Sequence, residues 1–179
     1  MNALQKTPTT LFDPEILSKC WSNEEDLGKP LLIRPLQLDD YDRGYIELLG
    51  QLTVAGPDVS KTDFETRFEE MKKCCDSYFV IVIEDSSTNK VIASCSLIIE
   101  LKFIRSLTKR GRVEDLIVDS HYRGQGLANR LIRTCVELSK HFKCYKVTLE
   151  CKENLVDIYS RHGFIIEPAQ RHMTQRFTE

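Results

Sequence analysis

The sequence predicts an α/β domain, a single mixed and mostly antiparallel β-sheet flanked by helices. Three observations predict it. Two apolar runs, 78–84 and 91–100, flank a polar turn rich in Ser and Asn and read as a hairpin. Residues 124–142 carry Leu127, Leu131, Cys135 and Leu138 at helical spacing, the stripe of a helix packed on a core. Strand-like and helix-like segments then follow one another in the order β-α-α-β-β-β-α-β-α-β-β. A chain of 179 residues suits one such domain and buries a sizeable core unaided.

Residues 1–30 are poorly periodic and broken by Pro8, Pro14, Gly28 and Pro30. They read as an arm laid on a domain spanning 31–179, with Leu11, Phe12, Ile16, Leu17 and Trp21 as anchors. Residues 31–36 form a first strand ending near Pro35. Asp39 and Asp40 offer an N-cap for a helix through Ile46, Leu48 and Leu49. A second helix spans 60–75: Ser60 and Asp63 resemble a capping box, and Phe64, Phe68 and Met71 recur at helical spacing. After the hairpin, 112–118 is a strand, 145–151 another, and 154–162 a short helix closed by Gly163. Residues 164–166 and 172–177 complete the expected sheet as short strands.

The charge balance, 25 Lys and Arg against 27 Asp and Glu, argues against a dedicated nucleic-acid binder. No apolar run has the length of a signal peptide or a membrane span, so a cytoplasmic protein without membrane insertion is expected. Seven cysteines, an odd number without a CxxC pair, fit reduced thiols and no metal site.

Chemistry concentrates in 113–129. There a strand runs through a short loop into Arg123-Gly124-Gln125-Gly126-Leu127-Ala128-Asn129 at a helix start. Glycines at that place let a ligand approach the backbone, and the first helical N–H groups lack intrahelical partners. Such a terminus suits phosphate or pyrophosphate, and Arg123 adds a full charge. It is not a P-loop, because no Gly-Lys-Ser/Thr follows. Asn129 also breaks the dinucleotide fingerprint. A second feature is cationic: Lys102, Arg105, Lys109, Arg110 and Arg112 fall within eleven residues with no acid among them. They read either as a solvated loop or as a clamp for a sugar phosphate, which needs several N–H donors. Glu114 and Asp115 are neighbours on a strand, so alternation points them to opposite faces and not into a dyad.

The Arg-Gly-x-Gly-x-Ala loop after its strand resembles the acetyl-CoA signature of the GNAT N-acetyltransferase superfamily. Residues 97–104, 110–115, 144–146 and 149–151 are similar to one branch of it, the glucosamine 6-phosphate N-acetyltransferases. Phe12-Asp13-Pro14 and Gln51-Leu52-Thr53 fit the same branch. The resemblance implies a GNAT fold and transfer of acetyl from acetyl-CoA to the 2-amino group of glucosamine 6-phosphate. It serves UDP-N-acetylglucosamine biosynthesis, in a homodimer with shared sites. It places the CoA pyrophosphate on the amides of Gly124, Gln125, Gly126, Leu127, Ala128 and Asn129, beside Arg123, with Asn154 also near the cofactor. Backbone groups of Leu116 and Val118 hold the pantetheine, and the Leu116 N–H polarises the thioester carbonyl. The sugar-phosphate positions are Thr53, Lys102, Phe103, Ile104, Arg105, Glu114, Asp115, Tyr145, Lys146, Glu150 and Arg176. Tyr159 protonates or hydrogen-bonds the leaving thiolate, and Glu114 or Glu150 receives the amine proton.

Three departures from the family pattern stand in this sequence. Leu155 occupies the place of a common Asn, with Asn154 beside it. Arg105 stands where His is common, and Ala128 replaces a frequent Gly. His121, His141 and His162 read as surface or capping residues. An acetyl-cysteine route through Cys151 ranks below direct attack by the amine. The rival functions are a GNAT enzyme for another amine, such as a protein lysine or small molecule, and a CoA-binding module without catalysis.

Overall fold

The computed structural model describes residues 9–20, 30–53 and 59–177. Among these, five strands form one sheet in sequential order. They are β1 (Leu31–Pro35), β2 (Tyr78–Asp85), β3 (Lys90–Leu101), β4 (Lys109–Val118) and β5 (Cys144–Thr148). The first three pairings are antiparallel and β4 pairs with β5 in parallel. A parallel neighbour needs a crossover, and helix α4 (Leu127–His141) supplies it. The other helices are α1 (Glu15–Cys20), α2 (Tyr45–Leu49), α3 (Lys61–Lys73) and α5 (Val156–Ser160). This is the mixed, mostly antiparallel sheet with flanking helices that the sequence predicts.

Alternation along β2 builds a core on each face. Phe79, Ile81 and Ile83 meet Leu131, Cys135 and Leu138 of α4 through Cys95 and Leu97 of β3. Val80 and Val82 meet Tyr45 and Leu48 of α2 and Phe64 and Phe68 of α3. With both faces covered, nearly every residue of β2 is buried, which is why the run reads as continuously apolar. Ser60 and Asp63 form the expected capping box at the start of α3. Gly111 lets β4 approach α4: a Cβ there would stand 2.7 Å from Ser139 Oγ, 3.3 Å from Leu97 and 3.3 Å from Val147.

Several expectations need correction. Asp39 and Asp40 do not cap a long helix. A 3-10 turn (Leu38–Tyr41) takes that place, Gly44 turns left-handed at φ 83°, and α2 starts only at Tyr45. Asp40 is instead drawn inward by Arg34, whose Nη1 and Nη2 donate to its two oxygens at 2.8 and 2.6 Å. No strand forms at 164–166 or 172–177 among the described residues. Ile165, Ile166, Met173 and Phe177 are 77–89% exposed there. β4 begins at Lys109, so Lys109 and Arg110 belong to a strand and not a loop. β5 stops at Thr148, three residues short of the expected end.

In the N-terminal segment a helix, α1, forms where none is predicted, with Leu11 and Leu17 buried and Phe12 and Ile16 packed on the core. Trp21 lies outside the described residues. The seven cysteines are unpaired. No helix among the described residues is long and apolar enough to cross a membrane.

Candidate active site

The site grows from two irregularities in β4. Ser96 pairs with Glu114 but Ser94 pairs with Ile117, so Cys95 alone faces both Asp115 and Leu116. Asp115 takes φ 52° to absorb this bulge. Strand alternation therefore does not run through Glu114 and Asp115, and their faces follow the bulge. The second irregularity is on the other edge. β4 and β5 pair only from Lys109 to Arg112, after which β4 continues through 113–118 without a β5 partner. The two strands part there, and the backbone of Leu116 and Val118 lies along the open edge. An extended chain can add to such an edge by main-chain hydrogen bonds.

At the far end of β4 the chain turns into the glycine loop. Gly124 and Gly126 take φ 80° and 79°, and Gly126 is the left-handed N-cap of α4. A Cβ at either would meet nothing within 4 Å, so the loop faces open space. Leu127, 3% exposed, pins the first turn into the core. Asn129 is held from the turn after α5: its Oδ1 lies 3.0 Å from Nε2 of His162. Burial, then the nearby Arg133 charge, hold the His162 imidazole below its ordinary range, which favours the neutral ring. Arg123 is exposed and its Nε donates to Val118 O at 3.3 Å. Gln125 is exposed and Ala128 half-buried. The loop and its free amides fit a pyrophosphate.

A cavity of about 960 Å³ opens beside the parting strands, lined by Arg110, Arg112, Lys146, Glu150, Tyr159 and His172 among others. It brings three of the predicted residues together: Lys146, Glu150 and Tyr159. Tyr159 is 7% exposed and its ring meets Phe164 edge-on at 6.0 Å. Burial, then the neighbouring thiols, push its phenol up to about 12, so it holds its proton at neutral pH and can donate. Arg112 joins the carboxylates: its Nε bonds Glu114 and its Nη2 lies 3.9 Å from Glu150 Oε1. The glycine loop, Thr53, Arg176 and 103–105 lie outside this cavity lining.

The cations are less free than the sequence suggests. Glu100 binds both Lys102 and Arg110, the latter at 2.8 Å, and Glu114 binds Arg112. Arg105 stacks 4.9 Å above the Tyr145 ring and Lys109 lies 5.7 Å from the Phe142 ring. Arg105 sits in a turn where Arg105, Ser106 and Leu107 all have positive φ, with Phe103 and Ile104 exposed. One donor remains over: Arg110 Nε is buried without a partner among the described residues. Lys146 lies 3.6 Å from Glu167, while Thr53, Asn154 and Arg176 are exposed.

Two features escaped sequence reasoning. His172 Nδ1 lies 2.8 Å from Glu150 Oε1, and its Nε2 lies 2.7 Å from Thr174 Oγ1. Gln51 bridges to Asp119 and Ser120 across the mouth of the β4 loop. Neither the His172–Glu150 pair nor the Gln51 bridge has a local pattern, because those partners are distant in sequence.

Comparison with known proteins agrees with this architecture. The acetyltransferase (GNAT) family model matches residues 39–164. A probable glucosamine 6-phosphate N-acetyltransferase of Drosophila melanogaster is 40% identical over 184 residues, covering 96% of this chain and 83% of that protein. A Dictyostelium discoideum glucosamine 6-phosphate N-acetyltransferase is 44% identical over 131 residues, covering 73% and 82%. The crystal structure of the Arabidopsis thaliana glucosamine-6-phosphate N-acetyltransferase superposes with a TM-score of 0.79 at 35% identity, covering 84% of this chain and all of that one. The chain therefore belongs to the acetyltransferase (GNAT) family, in its glucosamine 6-phosphate N-acetyltransferase branch.

Proposed function

We propose that this protein transfers the acetyl group of acetyl-CoA to the 2-amino group of glucosamine 6-phosphate, releasing CoA and N-acetylglucosamine 6-phosphate. The observation that carries it is the parting of β4 from β5, which leaves a strand edge between the glycine loop and buried Tyr159. The pantetheine arm lies along that edge, held by backbone groups of Leu116 and Val118, with the pyrophosphate on the amides of 124–129 and Arg123 beside it. Asn154 takes the place of the family Asn at the cofactor.

The sugar enters from the cationic side. A phosphate dianion there is met by the partly exposed guanidinium groups of Arg110 and Arg112, alongside the resemblance-implied positions Thr53, Lys102, Phe103, Ile104, Arg105, Asp115, Tyr145, Lys146 and Arg176. The amine arrives as an ammonium and gives a proton to Glu114 or Glu150, which pass it to water. The freed nitrogen attacks the thioester carbon, forming the C–N bond as the C–S bond breaks. The Leu116 N–H stabilises the charge developing on the carbonyl oxygen. Tyr159, protonated at neutral pH, gives its proton to the departing sulfur and is reprotonated by the second proton that the nitrogen loses as the amide forms. The exposed Leu101, Phe103, Ile104, Ile165, Ile166 and Phe177 offer apolar side chains for a homodimer interface to cover. Reduced cysteines support a cytoplasmic setting, and the product suits UDP-N-acetylglucosamine biosynthesis.

The test is transfer of isotope-labelled acetyl from acetyl-CoA to glucosamine 6-phosphate, with the product read by mass, beside a lysine peptide as competing acceptor. The proposal expects label on the sugar phosphate. Label on the peptide alone contradicts it.

A further inference from the structure

Gln51 lies just beyond α2, two residues before Thr53. Its amide is engaged at both ends by consecutive residues that follow β4. Nε2 donates to Asp119 Oδ2 at 2.8 Å, and Oε1 accepts the Ser120 N–H at 3.0 Å. The orientation is fixed by chemistry, because a carboxylate takes only donors and an N–H takes only acceptors. The other Asp119 oxygen accepts the His121 N–H at 2.8 Å, and the Asp119 N–H donates to Ile92 O at 2.8 Å. Tyr122 N–H donates back to Asp119 O at 2.9 Å, and the Tyr122 hydroxyl donates to Asp85 at 2.6 Å. The short turn from Val118 to the glycine loop is thus fastened to the sheet or to itself, and Gln51 takes the backbone N–H of Ser120, whose Oγ lies 3.4 Å from His121 Nδ1.

Gln51 is exposed, and its hydrogen bonds join segments 68 and 69 residues apart. Nothing in the core requires them. What they join is functional, on the reading proposed above: Val118 and the glycine loop serve acetyl-CoA, and Thr53 serves the sugar. The backbone between Gln51 and Thr53 is stiff, since Leu52 and Thr53 both donate to Leu49 O, at 3.0 and 3.3 Å. A ligand that orders one side therefore orders the other through a single amide.

We propose that Gln51 is a positioning residue that couples the two substrates, so that each raises the affinity of the protein for the other. Linkage makes the effect reciprocal. CoA ordering the 118–126 turn sets Thr53 for the sugar phosphate, and the sugar phosphate sets the turn for CoA. Gln51 touches neither substrate.

The test uses calorimetric titration of the full chain with CoA and with glucosamine 6-phosphate, each alone and each with the other present. Wild-type protein is expected to bind either ligand about fivefold more tightly when the other is bound, the low end of ordinary coupling. Gln51→Glu places two carboxylates against each other and is expected to abolish the coupling. Adding Asp119→Asn restores a donor opposite an acceptor, and the double variant is expected to recover it. A merely structural residue would move the unfolding midpoint without this loss and rescue, and circular dichroism confirms that each variant is folded. Coupling that persists in Gln51→Glu, is absent from the wild type, or is not regained in the double variant overturns the inference. A protein that binds CoA but neither binds nor acetylates the sugar phosphate contradicts the proposed function itself. A protein that acetylates it with equal coupling in all three forms contradicts only the role of Gln51.

Discussion

Two clusters of arginines and carboxylates sit at opposite ends of the sheet, and they differ in how fully they are closed. At β1 and β2, Arg34 binds Asp40 through both terminal nitrogens and Glu84 through Nε at 2.7 Å. Asp40 also accepts the Gln37 N–H at 2.7 Å, and Arg43 reaches Glu84 at 3.0 Å. The Arg34 and Asp40 side chains are 8% and 0% exposed. Burial alone would weaken the proton affinity of Arg34, but its bonds to Asp40 and Glu84 more than reverse that. At β4 and β5 the groups are also linked in pairs but far more open to solvent, the Arg112 and Glu150 side chains being 41% and 46% exposed, and Arg110 Nε has no partner among the described residues. A closed network of this kind has no capacity for a ligand and serves the fold. The open one has donors and acceptors to give, and it borders the cavity that holds Tyr159. The two clusters differ in closure and exposure, which a count of arginines does not reveal.

The comparison breaks most readily at Asp40. Asp40→Ala strips both terminal nitrogens of buried Arg34 of their carboxylate, leaving only Glu84 on Nε, and is expected to cost about 3–5 kcal/mol in urea unfolding. The kcat/KM of the molecules that stay folded should not change. A loss of activity without a loss of stability would place the closed cluster in the wrong role. On the open side, Tyr159→Phe removes the proton donor while keeping the packing against Phe164. Turnover should fall about a hundredfold, within the range of general acid catalysis, while the KM for acetyl-CoA changes far less. Unchanged turnover in steady-state kinetics would remove Tyr159 from the chemistry.

The smallest effect sits at the seam between α5 and the glycine loop. Because the folded state holds His162 below its ordinary value of 6.5, the unfolded chain takes up a proton that the folded one resists. Stability at this residue is therefore present above about pH 6.5 and is lost as the pH falls below it. His162→Gln keeps a donor for Asn129 and removes the titration, so its unfolding free energy should decline less between pH 7 and pH 5. Parallel declines in both proteins would show that His162 contributes nothing to acid sensitivity.

What the sequence reveals of this molecule follows the range of the interactions. The hairpin of β2 and β3, the α4 stripe and the Ser60–Asp63 box depend on neighbours a few residues away, and each is found where periodicity or capping puts it. The glycine loop is legible for the same reason. The bulge at Asp115 is not, because it depends on how β3 and β4 share residues across the pair. The pairing of Glu100 with Arg110 and of Glu150 with His172 also depends on cross-strand and tail placement. So a run that reads as five unopposed cations becomes, in the folded chain, three ion-paired residues and two stacked on rings. The two terminal strands fail for a related reason. Apolar β-prone residues mark a segment that can pair but do not fix the edge it takes, and among the described residues it takes none.

We propose that the open cluster holds the phosphate of the sugar. Its most direct test is the ratio of kcat/KM for glucosamine 6-phosphate to that for glucosamine, in the wild type and in Arg110→Ala. The wild-type ratio should be about a hundred or more, as two hydrogen bonds to a charged group would give, and the variant should lose about tenfold of it. Equal kcat/KM on the two sugars in the wild-type protein would contradict it.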